Sequence, residues 1–314
     1  MKIAFLGTSE FAVPVLEMLS GTSNELVLVV AAPDRPKGRG RKLVSTPVAV
    51  TARELGLPLF QPDRINAPKA LERLRAAAPE LVVVVAYGQI LGRHALELGS
   101  LGIVNLHGSL LPAWRGAAPI ARAIQAGDAI GGVSLQYVVR EVDAGDVIDQ
   151  QARPFSPDES AGEAAEHLAR VAALLLERNL DALAEGSAPA TPQDASKATH
   201  AAPLEKSEGP ITWHWPAAKI KNHVRAMTPW PSATTRYETG GGRRETLIVR
   251  RAEILDTGAP RCMPGTILRA DEVLDVGTGY DVLRIHRLLR QGRKETDAAS
   301  FLRGSPLTVG TRLE

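Results

Sequence analysis

Residues 80–88, ELVVVVAYG, contain an uninterrupted apolar run after Glu80. A strand that is apolar at every position is buried on both faces, as in a parallel sheet covered by helices. Residues 25–33, ELVLVVAAP, have the same character, and KIAFLG and LGIVNL add two more strand-like runs. The stretches between these runs have helical spacing; Phe11, Val15 and Leu19, for example, share one helix face. This alternation predicts an α/β domain with a doubly wound, mostly parallel sheet.

Length and composition limit the class of protein. The 314 residues predict about two domains, and 44% hydrophobic with 23% charged residues is typical of a folded globular chain. The single cysteine, Cys262, excludes an internal disulfide and a cysteine-rich zinc site. No apolar stretch approaches the roughly 20 residues that span a bilayer, and the first residues lack a signal-peptide pattern. We therefore expect a cytoplasmic protein with no membrane partner.

The second half of the chain has a different pattern. Residues 154–186 predict one long helix, capped by Ser156 or Asp158 and ended by Gly186. Residues 187–203, SAPATPQDASKATHAAP, have the composition of an extended linker. A helix from Pro216 and several short strands follow, which predicts a small antiparallel barrel. Residues 209–314 carry 17 Lys and Arg against 11 Asp and Glu, a net charge of +6 that indicates either an anionic partner or a solvated surface with a small charge imbalance.

Two polar residues end the strand LGIVNL. Asn105 and His107 are separated by one residue, so on an extended segment they point to the same side. Ligands of doubly wound sheets bind at the carboxyl ends of the strands. An amide and an imidazole there could donate hydrogen bonds to a developing oxyanion. The alternative is an asparagine that stabilises a loop beside a surface histidine.

Two carboxylates follow a later strand. Asp143 and Asp146 flank Ala144-Gly145 in VVREVDAGDVI. A carboxylate beside His107 would fix the orientation of the imidazole. The alternatives are an ordinary Asp-rich turn and a hard-ligand metal site made of His107, Asp143 and Asp146, although no metal-ligand spacing supports the latter.

A turn with a single glycine and a basic loop follow the first two strands. FLGTSEFAVP lacks the second glycine of G-x-G-x-x-G, which disfavours a dinucleotide site. DRPKGRGRK could engage a phosphate backbone or be a solvated loop. Its basic residues are Arg35, Lys37, Arg39, Arg41 and Lys42. A second basic cluster, RLLRQGRK, lies in the basic half, and two such clusters fit an extended polyanion.

Taken together, NLHGSLLPAWRGAAPI and VDAGDV resemble the signature of the folate-dependent formyltransferases, in particular of those that act on methionyl-tRNA. The resemblance extends from FLGTSEFAVPVLEML through APDRPKGRGRKL and VVVAYGQIL to TPWPSA and PGTIL. It covers nearly the whole chain. The one departure, Ala144 where relatives often have threonine, leaves the carboxylate position intact.

The resemblance implies transfer of the formyl group of 10-formyltetrahydrofolate to the α-amino group of methionine on initiator methionyl-tRNA, for translation initiation. It assigns catalysis to Asn105, His107 and Asp143, folate contacts to Ser109, Leu110, Leu111 and Pro112, and tRNA contacts to the basic loop Arg35–Lys42. The amine would attack the formyl carbon directly, with no metal and no covalent enzyme intermediate. Trp114 and Arg115 receive no role.

The resemblance also implies a domain order. We expect a formyltransferase domain at 1–188, a linker at 189–208 and a tRNA-binding domain of OB type at 209–314, in a monomer. Two other functions stay open from the residues. The same folate chemistry could serve another acceptor, glycinamide ribonucleotide or an amino sugar, or the chain could bind RNA without chemistry.

Overall fold

The computed structural model describes residues 1–37, 42–239, 242–256 and 262–314. Its residues group into two compact units. The first contains residues 1–119, 130–154 and 165–201, and the second contains residues 120–129, 155–164 and 202–314. The domain limits expected from the sequence stay a prediction.

The secondary structure alternates in the first two thirds of the chain and is mainly β in the last third. The strands are β1 (Lys2–Gly7), β2 (Glu25–Val30), β3 (Arg35–Lys37), β4 (Lys42–Val44), β5 (Leu59–Phe60), β6 (Leu81–Val85), β7 (Ile103–His107), β8 (Arg115–Gly116), β9 (Ile130–Tyr137), β10 (Val147–Pro154), β11 (His200–Ala201), β12 (Ala233–Glu238), β13 (Arg244–Leu255), β14 (Ile267–Ala270), β15 (Leu274–Gly277), β16 (Val282–Arg290) and β17 (Thr296–Asp297). The α-helices are α1 (Val13–Ser20), α2 (Pro47–Glu54), α3 (Pro68–Ala76), α4 (Pro119–Ala126), α5 (Ala161–Glu177), α6 (Leu180–Ala184), α7 (Ala217–Ala226) and α8 (Ala298–Gly304). In the described part of the chain, none of these helices is long and apolar enough to span a bilayer.

The first unit is built on a sheet with the strand order β10-β9-β7-β6-β1-β2-β5. The five strands from β7 to β5 are parallel to one another. Strand β9 runs antiparallel to β7, and β10 runs antiparallel to β9, so β10 has the same direction as the five parallel strands. The predicted doubly wound, mostly parallel sheet is confirmed. The apolar runs of β1 and β6 are buried because helices and loops cover both faces of these central strands.

The order of the strands locates the crevice of this sheet. From β1 the chain moves outward to β2 and β5, and then returns to β6 on the other side of β1. The direction in which strands are added therefore reverses between β1 and β6. In doubly wound sheets such a reversal, called a topological switch point, leaves a crevice at the carboxyl ends of the strands. Thr8 Oγ1 donates to the Tyr87 carbonyl at 2.8 Å, which ties these two strand ends together. Strand β7 lies beside β6, so its carboxyl end borders this crevice.

The long helix predicted at 154–186 is wrong in two respects. It begins at Ala161, because Ser160 and Glu163 form a capping box in which each side chain accepts from the backbone N–H of the other. It is also split into α5 and α6. Asn179 Nδ2 donates to the Leu175 carbonyl and to Asp149 Oδ2, both at 2.8 Å, and this side chain interrupts the helix.

The second unit contains an antiparallel sheet in the order β12-β13-β16-β15-β14, with β17 paired to β16. Register shifts after Val249 and Arg251 bend β13 against β16, so the sheet curls into a half-barrel of OB type, as predicted. Trp213 lies in its core and donates from Nε1 to Thr235 Oγ1 at 3.0 Å, whereas Trp230 is exposed. Helix α7, expected from Pro216, is confirmed.

A histidine is buried in the second unit. His223 of α7 is 2% exposed, and its Nε2 lies 3.3 Å from the Gly209 carbonyl. Among the described residues Nδ1 has no hydrogen-bond partner, and the ring forms a T-shaped pair with Trp215, with 5.6 Å between the ring centroids. Burial lowers the pKa of His223 below the ordinary value of 6.5, against smaller raising effects of Gly209 and Glu208.

The stability of the protein is therefore expected to fall as the pH drops below 6.5. The unfolded chain takes up this proton more readily than the folded one, so the free energy of unfolding decreases until the folded ring is protonated as well. One such group changes it by at most about 1.4 kcal/mol per pH unit. Urea unfolding at several pH values between about 5 and 7 measures the slope of the free energy of unfolding against pH. This range lies above the usual pKa values of carboxylates, which therefore contribute little to the slope. His223→Gln should flatten this slope and the exposed His214→Gln should not; equal slopes in all three proteins would contradict the assignment.

Candidate active site

The site begins on one face of β7. Asn105 is half-buried and His107 is 6% exposed, and both point to the same side because they are two residues apart on a strand. Val104 and Leu106 fill the opposite face with buried apolar side chains. Asn105 pairs with Val84 of β6 and with Gln136 of β9, so it lies between two neighbouring strands. The predicted placement at a strand end is confirmed.

Asp143 approaches this face from the turn between β9 and β10. Its φ of 52° lies in the left-handed region, which aspartate tolerates better than most residues. Gly145 closes the turn, since a Cβ there would be 1.8 Å from the Tyr137 carbonyl oxygen. The Tyr137 N–H also donates to the Asp146 carbonyl at 2.9 Å. The turn is thus fixed at both sides of the Asp143 side chain.

The Asp143 carboxylate makes four polar contacts. Oδ1 accepts from Gln136 Nε2 at 3.1 Å and, more weakly, from Asn105 Nδ2 at 3.4 Å. Oδ2 accepts from the Gly116 N–H at 2.8 Å and lies 3.5 Å from His107 Nδ1. Asn105, His107 and Asp143, which lie up to 38 residues apart in sequence, are therefore brought together.

A backbone carbonyl fixes the His107 ring. His107 Nε2 lies 2.8 Å from the carbonyl oxygen of Trp114, a residue with a φ of 61°. Because a carbonyl only accepts, the ring donates through Nε2, and Nδ1 is left as the nitrogen that faces Asp143. Trp114, which had no role from the sequence, thus orients the imidazole through its main chain.

Two polar residues on the neighbouring strand, Ser134 and Gln136, were not predicted from the sequence. Ser134 and Gln136 of β9 are almost fully buried and lie opposite His107 and Asn105. Two polar side chains at alternate positions of the apolar run IGGVSLQYVV were the available signal. Gln136 belongs to the site because it donates to Asp143.

The Ser109–Pro112 segment is held by its own hydrogen bonds. Ser134 Oγ donates to the Ser109 carbonyl at 2.6 Å and accepts from the Leu111 N–H at 2.9 Å. Gln150 Nε2 donates to the Leu111 carbonyl at 2.9 Å. Ser109 and Leu111 are buried, while Leu110 and Pro112 are half-buried. These hydrogen bonds hold the main chain of the segment, while the side chains of Leu110 and Pro112 stay partly exposed.

The basic loop follows β2, and part of it can be described. Arg35 is exposed at the start of the β3–β4 hairpin. Arg39 and Arg41 lie outside the described residues, as do the side chains of Lys37 and Lys42. Asp34 closes the base of this hairpin, since it accepts from Ser45 Oγ, Arg53 and Gln61. These bonds, led by that of Gln61, lower the pKa of Asp34 and keep it charged.

The alternative metal site is not assembled here. In the ranges that the structure describes, no three or more His, Cys, Asp and Glu side chains are placed to hold a metal ion. What the geometry offers instead is an imidazole, an amide and a carboxylate that share hydrogen bonds at the edge of a crevice. Such a set can stabilise an oxyanion and move a proton.

Comparisons with known sequences cover the whole chain. Residues 1–180 match the formyl transferase family model, and residues 203–306 match the model of the formyl transferase C-terminal domain. A methionyl-tRNA formyltransferase of Symbiobacterium thermophilum is 42% identical over 99% of this chain and 95% of its own. One of Moorella thermoacetica is 41% identical over 99% of this chain and 98% of its own.

Solved structures share the fold. A sugar 3N-formyl transferase crystallised with dTDP and 5-N-formyl-THF has a TM-score of 0.66 and 12% identity, and the match covers 94% of this chain and 99% of that chain. HypX from Aquifex aeolicus in complex with tetrahydrofolic acid has a TM-score of 0.60 and 17% identity, over 100% of this chain and 50% of its own. At these identities the likeness concerns the fold alone.

Proposed function

This chain belongs to the methionyl-tRNA formyltransferase family, and we propose that it transfers the formyl group of 10-formyltetrahydrofolate to the α-amino group of methionine on initiator methionyl-tRNA. The relatives of about 40% identity over nearly the full chain support this activity. The convergence of Asn105, His107 and Asp143 at the carboxyl end of β7 carries the proposal. We place the enzyme in the cytoplasm and expect it to act as a monomer.

The reaction is a direct attack of the amine on the formyl carbon. As the new C–N bond forms, the formyl oxygen gains negative charge, and donors fixed in place stabilise it. Asn105 donates through its amide. His107 donates through Nδ1 when that nitrogen is protonated, because Nε2 is already engaged by the Trp114 carbonyl.

Asp143 serves the proton transfers. The attacking amine loses a proton, and N10 of the folate gains one as it leaves, so one proton must cross the site in each turnover. Asp143 lies beside His107 Nδ1 and beside Asn105, where it can hold the imidazolium and relay this proton, directly or through a water. Holding two bound substrates in contact supplies further acceleration.

The Ser109–Pro112 segment would form a wall of the folate site. Its half-buried apolar side chains, Leu110 and Pro112, can pack against a flat heteroaromatic ring. Leu110 cannot retreat easily, since it packs so closely on Gly132 that a Cβ there would be 2.4 Å from Leu110 Cδ2. Hydrogen bonds from Ser134 and Gln150 hold the main chain of this wall in the absence of ligand.

The proposal is tested by mixing the purified protein with 10-formyltetrahydrofolate and charged initiator tRNA, and assaying formylmethionine. Glycinamide ribonucleotide and an amino sugar nucleotide serve as competing acceptors. We expect transfer to the tRNA and not to the small amines. Transfer to a small amine alone, or RNA binding with no transfer to any acceptor, would overturn the proposal.

The basic loop would hold the tRNA acceptor end through Arg35, Lys37, Arg39, Arg41 and Lys42. Replacing Arg35 or Arg41 with alanine is expected to raise KM for the tRNA while kcat changes little, because a lost phosphate contact weakens binding. The slope of log K against log salt should become shallower by about 1. Filter binding at several salt concentrations measures it, with Arg93→Ala, an exposed arginine of the same unit, as control. Wild-type affinity and slope in both variants would remove the loop from the tRNA site.

A further inference from the structure

Residues 191–201, which we name the strap, lie in the stretch whose composition predicts a linker. Hydrogen bonds nevertheless join the strap to two turns of the site: the turn that carries Asp143 and the turn at Trp114–Arg115. Thr191 exchanges two backbone hydrogen bonds with Val147, which follows the Asp143 turn. At the other end Thr199 accepts from the Trp114 N–H through Oγ1 and from the Arg115 N–H through its carbonyl, at 2.9 and 2.8 Å. Strand β11 then pairs in parallel with β8.

Gln193 lies between these two attachments. It is half-buried, whereas its neighbours Pro192 and Asp194 are exposed. Its Nε2 donates to the Asp143 carbonyl at 2.9 Å and to the Gly145 carbonyl at 2.6 Å. Its Oε1 accepts from Arg115 Nε at 3.1 Å and from Nη2 at 2.7 Å.

These partners match the chemistry of a glutamine amide. Backbone carbonyls only accept and a guanidinium only donates, so one end of the side chain must be a donor and the other an acceptor. A glutamate at this position could still accept from Arg115, but its carboxylate would face two carbonyl oxygens. An alanine would lose the hydrogen bonds to the two carbonyls and those from Arg115. The orientation of the amide is therefore set by what surrounds it.

The two turns that Gln193 joins are the two that hold His107. One supplies the Asp143 carboxylate beside Nδ1, and the other supplies the Trp114 carbonyl beside Nε2. Gly116, next to Arg115, also donates its N–H to the Asp143 carboxylate. A shift of either turn would move one partner of the imidazole relative to the other.

We propose that Gln193 is a positioning residue for formyl transfer: its amide joins the Asp143 turn to the Trp114–Arg115 turn and keeps His107 aligned between its two partners. This proposal rests on the proposed function, in which His107 and Asp143 do the chemistry. Gln193 touches neither substrate in it. It acts through the backbone carbonyls of the Asp143 turn, through the side chain of Arg115, and through Gln136, to whose Oε1 its Nε2 also donates at 3.3 Å.

Kinetics of four variants test the role. Gln193→Ala is expected to lower kcat about tenfold to a hundredfold, since a displacement of about 1 Å in a site has effects of this size, while KM for both substrates stays near wild type. The kcat of Gln193→Glu should be lower than that of Gln193→Ala. In an Asp143→Asn background, Gln193→Ala should reduce kcat little further, because the two residues act through one arrangement. Ser196→Ala is the control; among the described residues, this exposed strap residue hydrogen-bonds only within the strap, to Asp194.

Amide hydrogen exchange provides a readout that does not depend on activity. Gln193→Ala should speed exchange at residues 113–117 and 143–147, and Ser196→Ala should not. If the wild-type protein transfers no formyl group, the proposed function fails while this measurement still tests the link between the turns. Three results would overturn the role of Gln193. The first is a wild-type kcat in Gln193→Ala, and the second is a loss of kcat in Ser196→Ala as large as that in Gln193→Ala. The third is unchanged hydrogen exchange in both turns.

Discussion

Replacing His107 with alanine is expected to lower kcat for formyl transfer by about a thousandfold or more. The substitution removes a donor to the oxyanion and the proton carrier between the amine and the carboxylate. Because His107 is anchored to Trp114 and faces Asp143, no other imidazole of the described site can take its place. Single-turnover transfer with saturating substrates measures the loss at the chemical step.

The affinity for tRNA should survive this change. The basic loop lies at the end of β2 and His107 at the end of β7, so the alanine removes no proposed tRNA contact. His94→Ala, an exposed histidine of the same unit, is the matched control and should keep full activity. Transfer by His107→Ala within tenfold of wild type would refute the catalytic role. If tRNA binding and thermal stability were lost together, the truncation to alanine would have unfolded the site; His107→Gln then repeats the test.

Replacing Asp143 with asparagine is expected to lower kcat by about a hundredfold to a thousandfold. Donors surround both carboxylate oxygens: Gln136 and Asn105 donate to Oδ1, and the Gly116 N–H donates to Oδ2, which also lies 3.5 Å from His107 Nδ1. An amide has one acceptor oxygen, so its NH₂ group would face donors on one side. It also cannot relay a proton or stabilise the imidazolium by charge. Pre-steady-state kinetics separate this loss from changes in binding.

Asp146→Asn is the matched control for this carboxylate. Asp146 lies in the same turn, but its described contact is the backbone carbonyl that accepts from Tyr137. We expect it to keep most of the activity. Equal losses in the two variants would instead favour the hard-ligand site in which both carboxylates bind a metal ion.

Much of the fold and part of the site follow from local patterns. The apolar runs of β1, β2 and β6 predicted central strands, because a strand buried on both faces needs apolar residues at every position. The spacing of Asn105 and His107 predicted one shared face, since successive side chains of a strand alternate. The sequence could not predict the break between α5 and α6, which depends on Asn179 binding the distant Asp149.

The sequence by itself therefore determined which segments are strands, at which strand end polar groups gather, and, through resemblance, which family's chemistry they serve. Only the tertiary structure decided how those groups are held. Asp143 reaches His107 across 36 residues, and Gln193 reaches the Asp143 turn across 50. The partner of His107 Nε2 is a main-chain carbonyl, which every residue has. The residue type at position 114 does not predict this contact, because the contact depends on where folding places the backbone and not on the side chain of Trp114.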